Sequence, residues 1–366
     1  MADTKRSIDI PAGDLSGLIA RIFVAAGATG LDAHRVAQGL VEADLEGLSS
    51  HGVMLTDMYV ERLRAGSLVS GHAARMVSDT GGAVVLDAGN AFGHVTADQA
   101  IDIAVERARR HGAGVVAVRH GFHFGAAAPY GRRAAEKDCI GIVMCNTRPL
   151  MPAPGGAERA VGNNPICIAI PCDGPIPLVL DMATSEAAMG KIRMAEKAGR
   201  AIPGNWAVQN DGAPTTDPKA AIAGMLLPAA GPKGFGLAFM IDLMCGLLSG
   251  GAFGAGVKPL YGDAATPYDC SHLFIAIDVA HFCDPDWFRS QAAAAAERVR
   301  NGRRANGVER LFAPGELEWR NRQSAKGTVS IQAAVADKLV ALAASLNISA
   351  APLLAQISGG HSNAEA

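Results

Sequence analysis

The stretch that decides the fold is a histidine loop, and it reads Gly121-Phe122-His123-Phe124-Gly125. The apolar run from Gly114 to Val118 predicts a strand before the loop, and the residues after it predict a short helix near 126–137 and a second strand over 140–146. The two glycines let the backbone turn tightly and approach a ligand. His123 is the side chain in this loop that exchanges a proton near neutral pH. A histidine in a turn is by itself more often structural than catalytic, so its role depends on the rest of the chain.

Length and composition limit the classes of function. The 366 residues predict two domains, or one large domain with appended helices, and a hydrophobic share of 49% provides a sizeable core. The 33 basic and 35 acidic residues give a net charge of −2, without the basic field that nucleic-acid binding requires. Aromatic residues make up 5% of the chain, which also argues against stacking on bases.

Cysteine usage predicts reduced thiols in a cytoplasmic protein. The seven cysteines lie in apolar runs such as Val143-Met144-Cys145 and include no CxxC pair, so neither a disulfide framework nor a metal site is predicted. The N-terminus has no apolar signal core. The most membrane-like run, residues 236–257, contains Asp242 and many glycines and is interpreted as a buried helix and loop rather than a membrane span.

Both ends of the chain are predicted to be helical. Residues 14–66 contain apolar positions at helical spacing, with Asp32 placed as the cap of a second helix and Thr56 or Asp57 as the cap of a third. His51 then lies in the turn between the second and third helices. Near the other end of the chain, one amphipathic helix is predicted over residues 330–346.

Residues 67–180 alternate between strands and helices, which is typical of an α/β or α+β fold. The dinucleotide fingerprint GxGxxG is absent. The nearest match, Gly112-Ala113-Gly114-Val115-Val116-Ala117, follows a helix and opens a strand, which is the reverse of the order that a Rossmann turn needs. A nucleotide enzyme with this sequence would therefore use a different cofactor fold.

A lysine between glycines marks a second candidate site. The segment Gly231-Pro232-Lys233-Gly234 precedes an apolar run that is predicted to be helical through Leu248. Free amides at a helix start, the helix dipole and one cation together suit a phosphate group. The Ser or Thr that ends a Walker A loop is missing, so an NTPase is not predicted.

The motifs are most informative as an ordered set. They are Ser50-His51-Gly52, Tyr59, Arg62-Leu63, His123-Phe124-Gly125, Gly162-Asn163-Asn164-Pro165, Asp181-Met182-Ala183-Thr184, Gly190-Lys191, Ile202-Pro203, Trp206-Ala207, Asp217-Pro218, Gly231-Pro232-Lys233-Gly234 and Pro314-Gly315-Glu316. Together they resemble the type 2 malate/L-lactate dehydrogenase family over residues 8–346. That family includes ureidoglycolate, sulfolactate and 2,3-diketogulonate oxidoreductases and the reductases of piperideine- and pyrroline-2-carboxylate.

The resemblance implies an α/β (α+β) fold with a non-Rossmann, mixed-sheet NAD(P)-binding domain and a helical domain built from both chain ends, in a homodimer. We accordingly assign residues 1–70 and 290–350 to the helical domain. Residues 71–289 form the α/β region for NAD(P) and substrate, with a loop-rich insert near 185–230. The tail, residues 359–366, is predicted to be disordered.

Site residues follow from the same resemblance. His51 and His123 become the candidates for the catalytic acid/base, and which of them has this role stays open. Ser50, Tyr59 and Arg148 are the candidates for substrate binding. The positions that match cofactor contacts are His123, Thr147, Asn164, Asp181, Met182, Ala183, Lys233, Gly234, Pro314, Gly315 and Glu316.

One position departs from the family pattern. Members carry an arginine four residues after the histidine of Ser-His-Gly, where it binds the substrate carboxylate, and Leu55 occupies that position here. The exchange removes two charge-assisted hydrogen bonds, on the order of several kcal/mol of substrate binding. Either another cation, with Arg148 and Arg62 as candidates, takes the carboxylate, or the substrate is larger, less acidic or more apolar. We therefore expect weak activity on malate and lactate.

The resemblance implies an NAD(P)H-dependent oxidoreductase that transfers hydride between nicotinamide and C2 of a 2-oxo or 2-hydroxy acid, with a histidine as acid/base. A reductase of cyclic imine carboxylates is one alternative, and a non-catalytic cofactor-binding paralogue is another. The cofactor is NAD or NADP. Lys191, Arg193, Lys197 and Arg200 are interpreted as a solvated helix face, with recognition of the NADPH 2′-phosphate as the alternative.

Overall fold

The computed structural model describes residues 7–175 and 178–362, except for the side chains of 358–362. The helices in this part of the chain are α1 (Ala12–Ala25), α2 (Gly30–Leu45), α3 (Thr56–Ala65), α4 (Gly93–His111), α5 (Ala128–Ala135), α6 (Met189–Lys197), α7 (Pro218–Ala223), α8 (Pro232–Ser249), α9 (Pro285–Arg300), α10 (Glu316–Ala325), α11 (Ala333–Ser345) and α12 (Ala351–Ser362). The strands are β1 (Ser7–Pro11), β2 (Arg75–Asp79), β3 (Ala83–Asp87), β4 (Ala113–Gly121), β5 (Cys139–Cys145), β6 (Met151–Pro152), β7 (Arg159–Val161), β8 (Ile166–Ile170), β9 (Leu178–Met182), β10 (Ala207–Val208), β11 (Met225–Leu226), β12 (Cys270–Asp278) and β13 (Thr328–Gln332).

A seven-stranded mixed sheet forms the centre of the molecule, in the order β2-β3-β4-β12-β5-β8-β9. Strands β3 and β4 are parallel, and the other neighbouring pairs are antiparallel. Helices α4 and α5 pack on one face, and α8 packs on β4, β5 and β12. Burial on both faces explains why the central strands are almost continuously apolar. The predicted mixed α/β fold is confirmed, as are the strands on either side of the histidine loop.

Residues from both ends of the chain share one apolar core. Strand β1 pairs antiparallel with β13, and Phe23, Tyr59, Leu339 and Leu353 belong to the same buried cluster. The single helix predicted over 330–346 is wrong in its first turn, because residues 328–332 form β13 instead. Alternating exposure along that segment reflects pairing with β1, which the sequence analysis did not predict.

The C-terminal part of the chain extends this core further than predicted. Helix α12 contributes Leu353 and continues through Ser362, so it includes the first residues of the tail predicted to be disordered. Residues 363–366 lie outside the described residues. Helix α9 begins before the predicted helical segment 290–350 and overlaps it, and its Arg289 contacts Asp138 and Asp173 of the α/β region. The domain limits therefore stay predictions.

The cap of α2 differs from the prediction. Thr29 is the N-cap, and its side chain accepts a hydrogen bond from the backbone N–H of Asp32. Asp32 lies in the first turn, and its carboxylate accepts from Ser70 and Gly71 at 2.6 and 2.7 Å. It thus fastens the loop before β2 to the helical core. For α3 the bounds are close to the prediction, but no side chain caps its start.

Helix α8 is apolar on all sides. Among the described residues, it is the helix whose length and composition would allow it to cross a membrane, and 39% of it is buried within the structure. Its Asp242 is buried and accepts a hydrogen bond from Asn146 at 3.0 Å. A row of large apolar side chains stays exposed on this helix, consisting of Leu237, Phe239, Met240, Leu247 and Leu248.

Arg62 is a structural residue rather than a ligand-binding one. Its side chain is 1% exposed, and its guanidinium donates to the carbonyl oxygens of Pro259, Leu260 and Thr266 and to the Ser67 hydroxyl. All three nitrogens are engaged, so no donor remains for a substrate carboxylate. The proposal that Arg62 replaces the missing arginine is therefore wrong, since this residue holds the 259–266 loop against α3.

Two buried histidines lie beneath the histidine loop. His272 on β12 is 1% exposed, its Nε2 lies 3.1 Å from Cys270 Sγ, and its Nδ1 has no partner. His94, at the start of α4, is 2% exposed and also has an unpartnered Nδ1. Burial lowers the pKa of His272 to about 3 and that of His94 well below its usual value. Both rings are therefore neutral in the folded protein at pH 7.

We expect Arg62→Met to destabilise the fold by about 3 kcal/mol, because it leaves several buried carbonyl oxygens without donors. Urea denaturation of the two proteins measures this loss. Arg64→Met is the matched control, since Arg64 is exposed on the same helix. An equal stability of the Arg62 and Arg64 variants would contradict the structural role.

The burial of His272 predicts that the protein becomes less stable in acid. In the unfolded chain its imidazole takes up a proton below about pH 6.5, whereas the buried ring with a pKa of about 3 does not. The neutral His272 ring therefore makes its full contribution to the free energy of unfolding above about pH 6.5. That contribution decreases as the pH falls, and about 2 kcal/mol of it is lost at about pH 5. We expect the difference in unfolding free energy between about pH 7.5 and pH 5 to shrink by that amount in His272→Gln. The exposed His72→Gln should keep the wild-type difference, and an unchanged difference in His272→Gln would contradict the assignment.

Candidate functional site

The histidine loop follows β4 and passes directly over the start of α4. A Cβ atom on Gly93 would lie 2.2 Å from the carbonyl oxygen of Phe122 and 2.4 Å from that of His123. Only glycine allows this approach of backbone to backbone. Gly125 has a φ of +78°, so the loop turns there with a left-handed residue before α5 begins. The loop geometry thus depends on Gly93, which no motif in the sequence analysis contained.

Tyr59 on α3 fixes the ring of His123. Its hydroxyl lies 2.8 Å from His123 Nδ1 and 3.1 Å from the His123 carbonyl oxygen. The hydroxyl has one proton, so donation to the carbonyl leaves His123 Nε2 as an acceptor, and donation to Nδ1 leaves Nε2 with the proton. Tyr59 is fully buried, and its role in substrate binding stays a prediction. It is a positioning residue for His123.

His51 lies beside His123, at the end of a short turn between α2 and α3. The two rings are nearly parallel, with an interplanar angle of 13° and a centroid separation of 5.7 Å. The Ser50 hydroxyl lies 3.0 Å from His51 Nδ1, and Ser50 is exposed. The structure therefore brings Ser50, His51 and Tyr59 together with His123, which lies 64 residues after Tyr59 in the sequence.

Asp44 supports the turn that carries His51. Its carboxylate accepts a hydrogen bond of 2.7 Å from the backbone N–H of Val53. Burial raises its pKa to about 6, although hydrogen bonds from Val53 and Ser49 act in the opposite direction. Asp44 was missed in the sequence analysis because it lies in the last turn of α2, where no local pattern distinguishes it from a solvated acid.

Burial also sets the protonation of the histidine pair. It lowers the pKa of His51. It is the largest cause for His123 as well, followed by the charge of His51, and the pKa of His123 falls to about 3. Both rings are neutral at pH 7 in the ligand-free protein, and each offers one N–H and one acceptor nitrogen.

The side chain at position 55 is buried. Leu55 is 2% exposed and belongs to the apolar core shared by the chain ends. Arg148, at the end of the loop after β5, is half-buried and has no hydrogen-bond or ion-pair partner among the described residues. Of the two arginines named as replacements, Arg148 is thus the one with free donors.

Thr147 and Asn164 join two loops at the end of the sheet. Asn164 Oδ1 accepts from the Thr147 backbone N–H at 2.8 Å, and its amide nitrogen donates to the Ala238 carbonyl on α8 at 2.9 Å. Asn164 is fully buried. Its side chain therefore holds the Thr147 loop against α8, and Thr147 is the half-buried member of the pair.

The segments Asp181–Ala183 and Pro314–Glu316 lie side by side at the edge strand β9. The Val179 N–H donates to the Pro314 carbonyl at 3.2 Å, and a Cβ on Gly315 would lie 2.9 Å from the Val179 carbonyl oxygen. Asp181 accepts from the N–H groups of Ala127 and Ala128 at 3.0 and 2.7 Å, which ties the histidine loop to β9. The structure thus connects these two predicted segments to the loop.

Glu316 is an ion-paired residue within that second segment. It is 5% exposed, and its carboxylate accepts from Arg300 at 2.6 Å and from Arg320 at 2.7 Å. Burial acts to raise its pKa, but the two arginines outweigh burial and lower it to about 2. Its carboxylate therefore stays charged and fixes α10 against α9.

Lys233 and Gly234 open α8, as predicted. Gly231 precedes the helix with a φ of +61°, and no side chain caps its first turn. Lys233 is exposed and has no ion-pair partner among the described residues. Beside this helix start lies a cavity of about 260 Å³, and its lining consists of Pro152–Gly156, Val208, Asp211, Gly212, Leu227, Pro228, Gly231 and Pro232. Free amides and an unpaired cation at one place suit an anionic group.

Known proteins resemble this chain over most of its length. The family model described as malate/L-lactate dehydrogenase matches residues 10–340. A malate dehydrogenase of Pyrococcus abyssi is 35% identical over 317 residues, which cover 84% of this chain and 86% of the relative. A ureidoglycolate dehydrogenase (NAD(+)) of Escherichia coli O157:H7 is 36% identical over 297 residues, which cover 81% of this chain and 84% of the relative.

Solved structures give the same result. Sulfolactate dehydrogenase from Methanocaldococcus jannaschii superposes with a TM-score of 0.88 at 33% identity, covering 93% of this chain and 98% of that one. The delta1-piperideine-2-carboxylate reductase from Pseudomonas syringae pvar.tomato has a TM-score of 0.81 at 28% identity, covering 91% and 99%. Dehydrogenases of this family use NAD or NADP. The chain belongs to the type 2 malate/L-lactate dehydrogenase family and is an NAD(P)-dependent oxidoreductase.

Proposed function

We propose that the protein transfers hydride between a nicotinamide cofactor and C2 of a 2-oxo or 2-hydroxy acid. In this proposal the histidine pair exchanges a proton with the substrate oxygen at C2. The observation that carries this proposal is the nearly parallel contact of His51 and His123 at 5.7 Å, with Tyr59 fixing the second ring. Two neutral imidazoles on fixed supports can hold one substrate oxygen and exchange one proton with it. When bound there, the reduced cofactor NAD(P)H would supply the hydride from nicotinamide C4, and the oxidised cofactor NAD(P)+ would accept it.

We assign the acid/base role to His51 and substrate orientation to His123. An acid/base has to exchange its proton with water in every cycle. His51 Nδ1 contacts Ser50, which is exposed, so its proton has a short path to solvent. His123 Nδ1 contacts Tyr59, which is fully buried, and that path leads into the core. His123 Nε2 then serves as the hydrogen-bonding group that orients the substrate oxygen.

The cofactor residues predicted from the family fit an extended dinucleotide. Lys233 and the free amides at the start of α8 would hold a phosphate group, because they combine a cation with unpaired donors. Thr147, Met182, Ala183, Pro314 and Gly315 would line the path between that helix and the histidines. Asn164, Asp181 and Glu316 support this path, since their side chains bond to other parts of the protein.

Reduction of a cyclic imine carboxylate is the second candidate. The structural relative named delta1-piperideine-2-carboxylate reductase favours it. The same geometry serves both reactions, because an imidazole that protonates a carbonyl oxygen can also protonate an imine nitrogen. The substrate panel of the experiment below includes both classes for this reason.

We also propose a homodimer in the cytoplasm. The exposed apolar face of α8, formed by Leu237, Phe239, Met240, Leu247 and Leu248, is the kind of surface that a second copy covers. All seven cysteines are free, which suits a reducing compartment.

The first experiment compares wild type with His51→Gln and His123→Gln in an assay of NADH and NADPH oxidation. The substrates are pyruvate, oxaloacetate, 2,3-diketogulonate and the two cyclic imine carboxylates. We expect His51→Gln to reduce kcat by about 10²- to 10⁴-fold and to remove the pH dependence of kcat, whereas His123→Gln should raise KM more than it lowers kcat. Pyruvate and oxaloacetate should be poor substrates, because position 55 has no guanidinium.

Cofactor fluorescence in the same variants is the control, and we expect His51→Gln to bind the cofactor as wild type does. A His51 variant with normal kcat and an inactive His123 variant would move the acid/base role to His123. Wild-type enzyme that binds cofactor and turns over no substrate of the panel would refute the proposed substrate classes.

Light scattering during size exclusion tests the dimer. We expect wild type to have twice the mass of the chain and Leu247→Lys/Leu248→Lys to have the mass of one chain, because two charges disrupt an apolar contact. Leu31→Lys is the control, since Leu31 is 82% exposed on α2 and lies away from α8. A wild-type protein with the mass of one chain would contradict the homodimer.

A further inference from the structure

A buried ion pair between Glu46 and Arg132 has no part in the proposed proton transfer. Glu46, at the end of α2, is 3% exposed, and its carboxylate accepts a hydrogen bond of 2.6 Å from the Arg132 guanidinium on α5. The Arg132 side chain is 19% exposed. Replacing a buried ion pair by apolar side chains of similar volume is often neutral for stability. The presence of charges at this depth is therefore better explained by the position that they fix than by the stability that they add.

The ion pair joins the two chain segments that carry the histidines. Glu46 is the C-cap residue of α2, just before the turn that carries His51. Arg132 lies in α5, the helix that begins directly after the histidine loop. The two residues are 86 positions apart in the sequence, so their contact is a tertiary link between the turn of His51 and the loop of His123.

Tyr59 forms a second link between the same segments. Helix α3 follows the turn of His51, and its Tyr59 hydroxyl lies 2.8 Å from His123 Nδ1. The turn is thus connected to the loop on both sides, through Glu46 before the turn and through Tyr59 after it. The ring contact of 5.7 Å between the histidines lies between these two links. Together they determine how far apart the rings can be.

Helix α5 is a fixed support for Arg132. Two backbone N–H groups at its start donate to the Asp181 carboxylate on β9 at 3.0 and 2.7 Å. Tyr130, in the same helix, is 1% exposed, and its hydroxyl donates to the carbonyl oxygen of Phe124 at 2.6 Å. The helix is therefore attached to the sheet at one end and to the histidine loop along its first turn. A guanidinium on such a support can hold the carboxylate of Glu46 in one place.

The contacts of Glu46 with α10 are weaker. The Arg322 guanidinium lies 3.6 Å from the Glu46 carboxylate, and its side chain is 41% exposed. Arg322 lies equally far, at 3.6 Å, from Glu42, which is on the same helix as Glu46. Water and salt screen an exposed pair at this distance. Arg132 is therefore the partner that determines the position of the Glu46 side chain.

We propose that Glu46 and Arg132 are positioning residues, which hold His51 at the distance from His123 that proton exchange with the substrate requires. This inference rests on the proposed hydride transfer with the histidine pair, and it adds the residues that set the geometry of the pair. Both residues act through the turn of His51 and the helix after His123 rather than on the substrate. A displacement of a reacting group by about 1 Å can lower a rate by about 10²-fold, so a weakened link should appear in kcat.

The experiment compares Glu46→Gln, Arg132→Met and wild type on the panel substrate with the highest kcat/KM. We expect both variants to lower kcat by about ten- to hundredfold. The KM and the Kd of NADH, measured by cofactor fluorescence, should stay unchanged, because neither residue binds a ligand in this proposal. Glu42→Gln is the matched control, since Glu42 lies on the same helix and contacts Arg322 rather than Arg132. A wild-type kcat in both Glu46→Gln and Arg132→Met would overturn the inference.

The double variant Glu46→Met/Arg132→Met separates position from stability, since each single variant leaves one charge without its partner. We expect the double variant to unfold in urea as wild type does, because apolar side chains of similar length replace both charges. Its kcat should still be as low as that of Glu46→Gln. A double variant with both the stability and the kcat of wild type would show that the ion pair only stabilises the fold, and it would overturn the inference.

The inference and the proposed function fail in different ways. Loss of activity in His51→Gln, with a wild-type kcat in Glu46→Gln and Arg132→Met, would leave the proposed function intact and refute the positioning role. If no substrate of the panel is turned over, crystal structures of wild type and Glu46→Gln decide. We expect the ring centroids of His51 and His123 to be about 1 Å farther apart in the variant. An unchanged separation would refute the positioning role without any measurement of activity.

Discussion

The position of Tyr59 is the constraint on which both the fold and the site depend. Its ring packs against Phe23 at 6.2 Å, Phe92 at 6.2 Å and Phe122 at 5.2 Å, so it joins the core of the chain ends to the loop after β4. Its hydroxyl contacts His123 from below. Burial raises its pKa well above the usual value, so the hydroxyl keeps its proton and remains a donor. The same side chain therefore positions the helical core on the sheet and one histidine in the site.

The distribution of charge separates structural from functional residues. Glu316 is paired with Arg300 and Arg320, and Arg62 and Asp181 are hydrogen-bonded to backbone groups. Arg148 and Lys233, by contrast, have no ion-pair partner in the part of the chain that the structure describes. Because an unpaired cation in a partly buried place attracts anions, this part of the molecule favours a dinucleotide and an acidic substrate. The apolar sheet beneath it makes that attraction stronger than it would be in water.

The central strands β4 and β5 could be predicted from the sequence, because buried strands have continuous apolar runs. The sequence-based prediction was wrong where contacts with distant segments determine the local secondary structure. Strand β13 begins what resembles one amphipathic helix, and only its partner β1 makes it extended. Thr29 and Asp32 are both residue types that commonly cap helices. The Asp32 carboxylate instead accepts a hydrogen bond from Ser70, so Thr29 is the cap.

For the site, the motifs identified the histidines and the lysine, because those residue types carry the chemistry. The motifs did not distinguish residues that contact a ligand from residues that hold those contacts in place. Asn164, Asp181 and Tyr59 match positions near ligands, yet their side chains bond within the protein. Asp44 and Gly93 were missed, since their importance comes from the backbone atoms that lie next to them. A sequence pattern holds no information about such distances.

The electrostatics also bear on which histidine exchanges the proton. A substrate carboxylate at about 6 Å from an imidazole favours the charged ring by about 3 kcal/mol at an effective dielectric constant of about 20. That gain raises a pKa by about two. For His123, whose pKa is about 3, the ring would still be neutral at pH 7. Burial also lowers the pKa of His51, and the same gain acts against that shift. A bound carboxylate would therefore favour the charged form of His51, which is the direction that the proposed acid/base role requires.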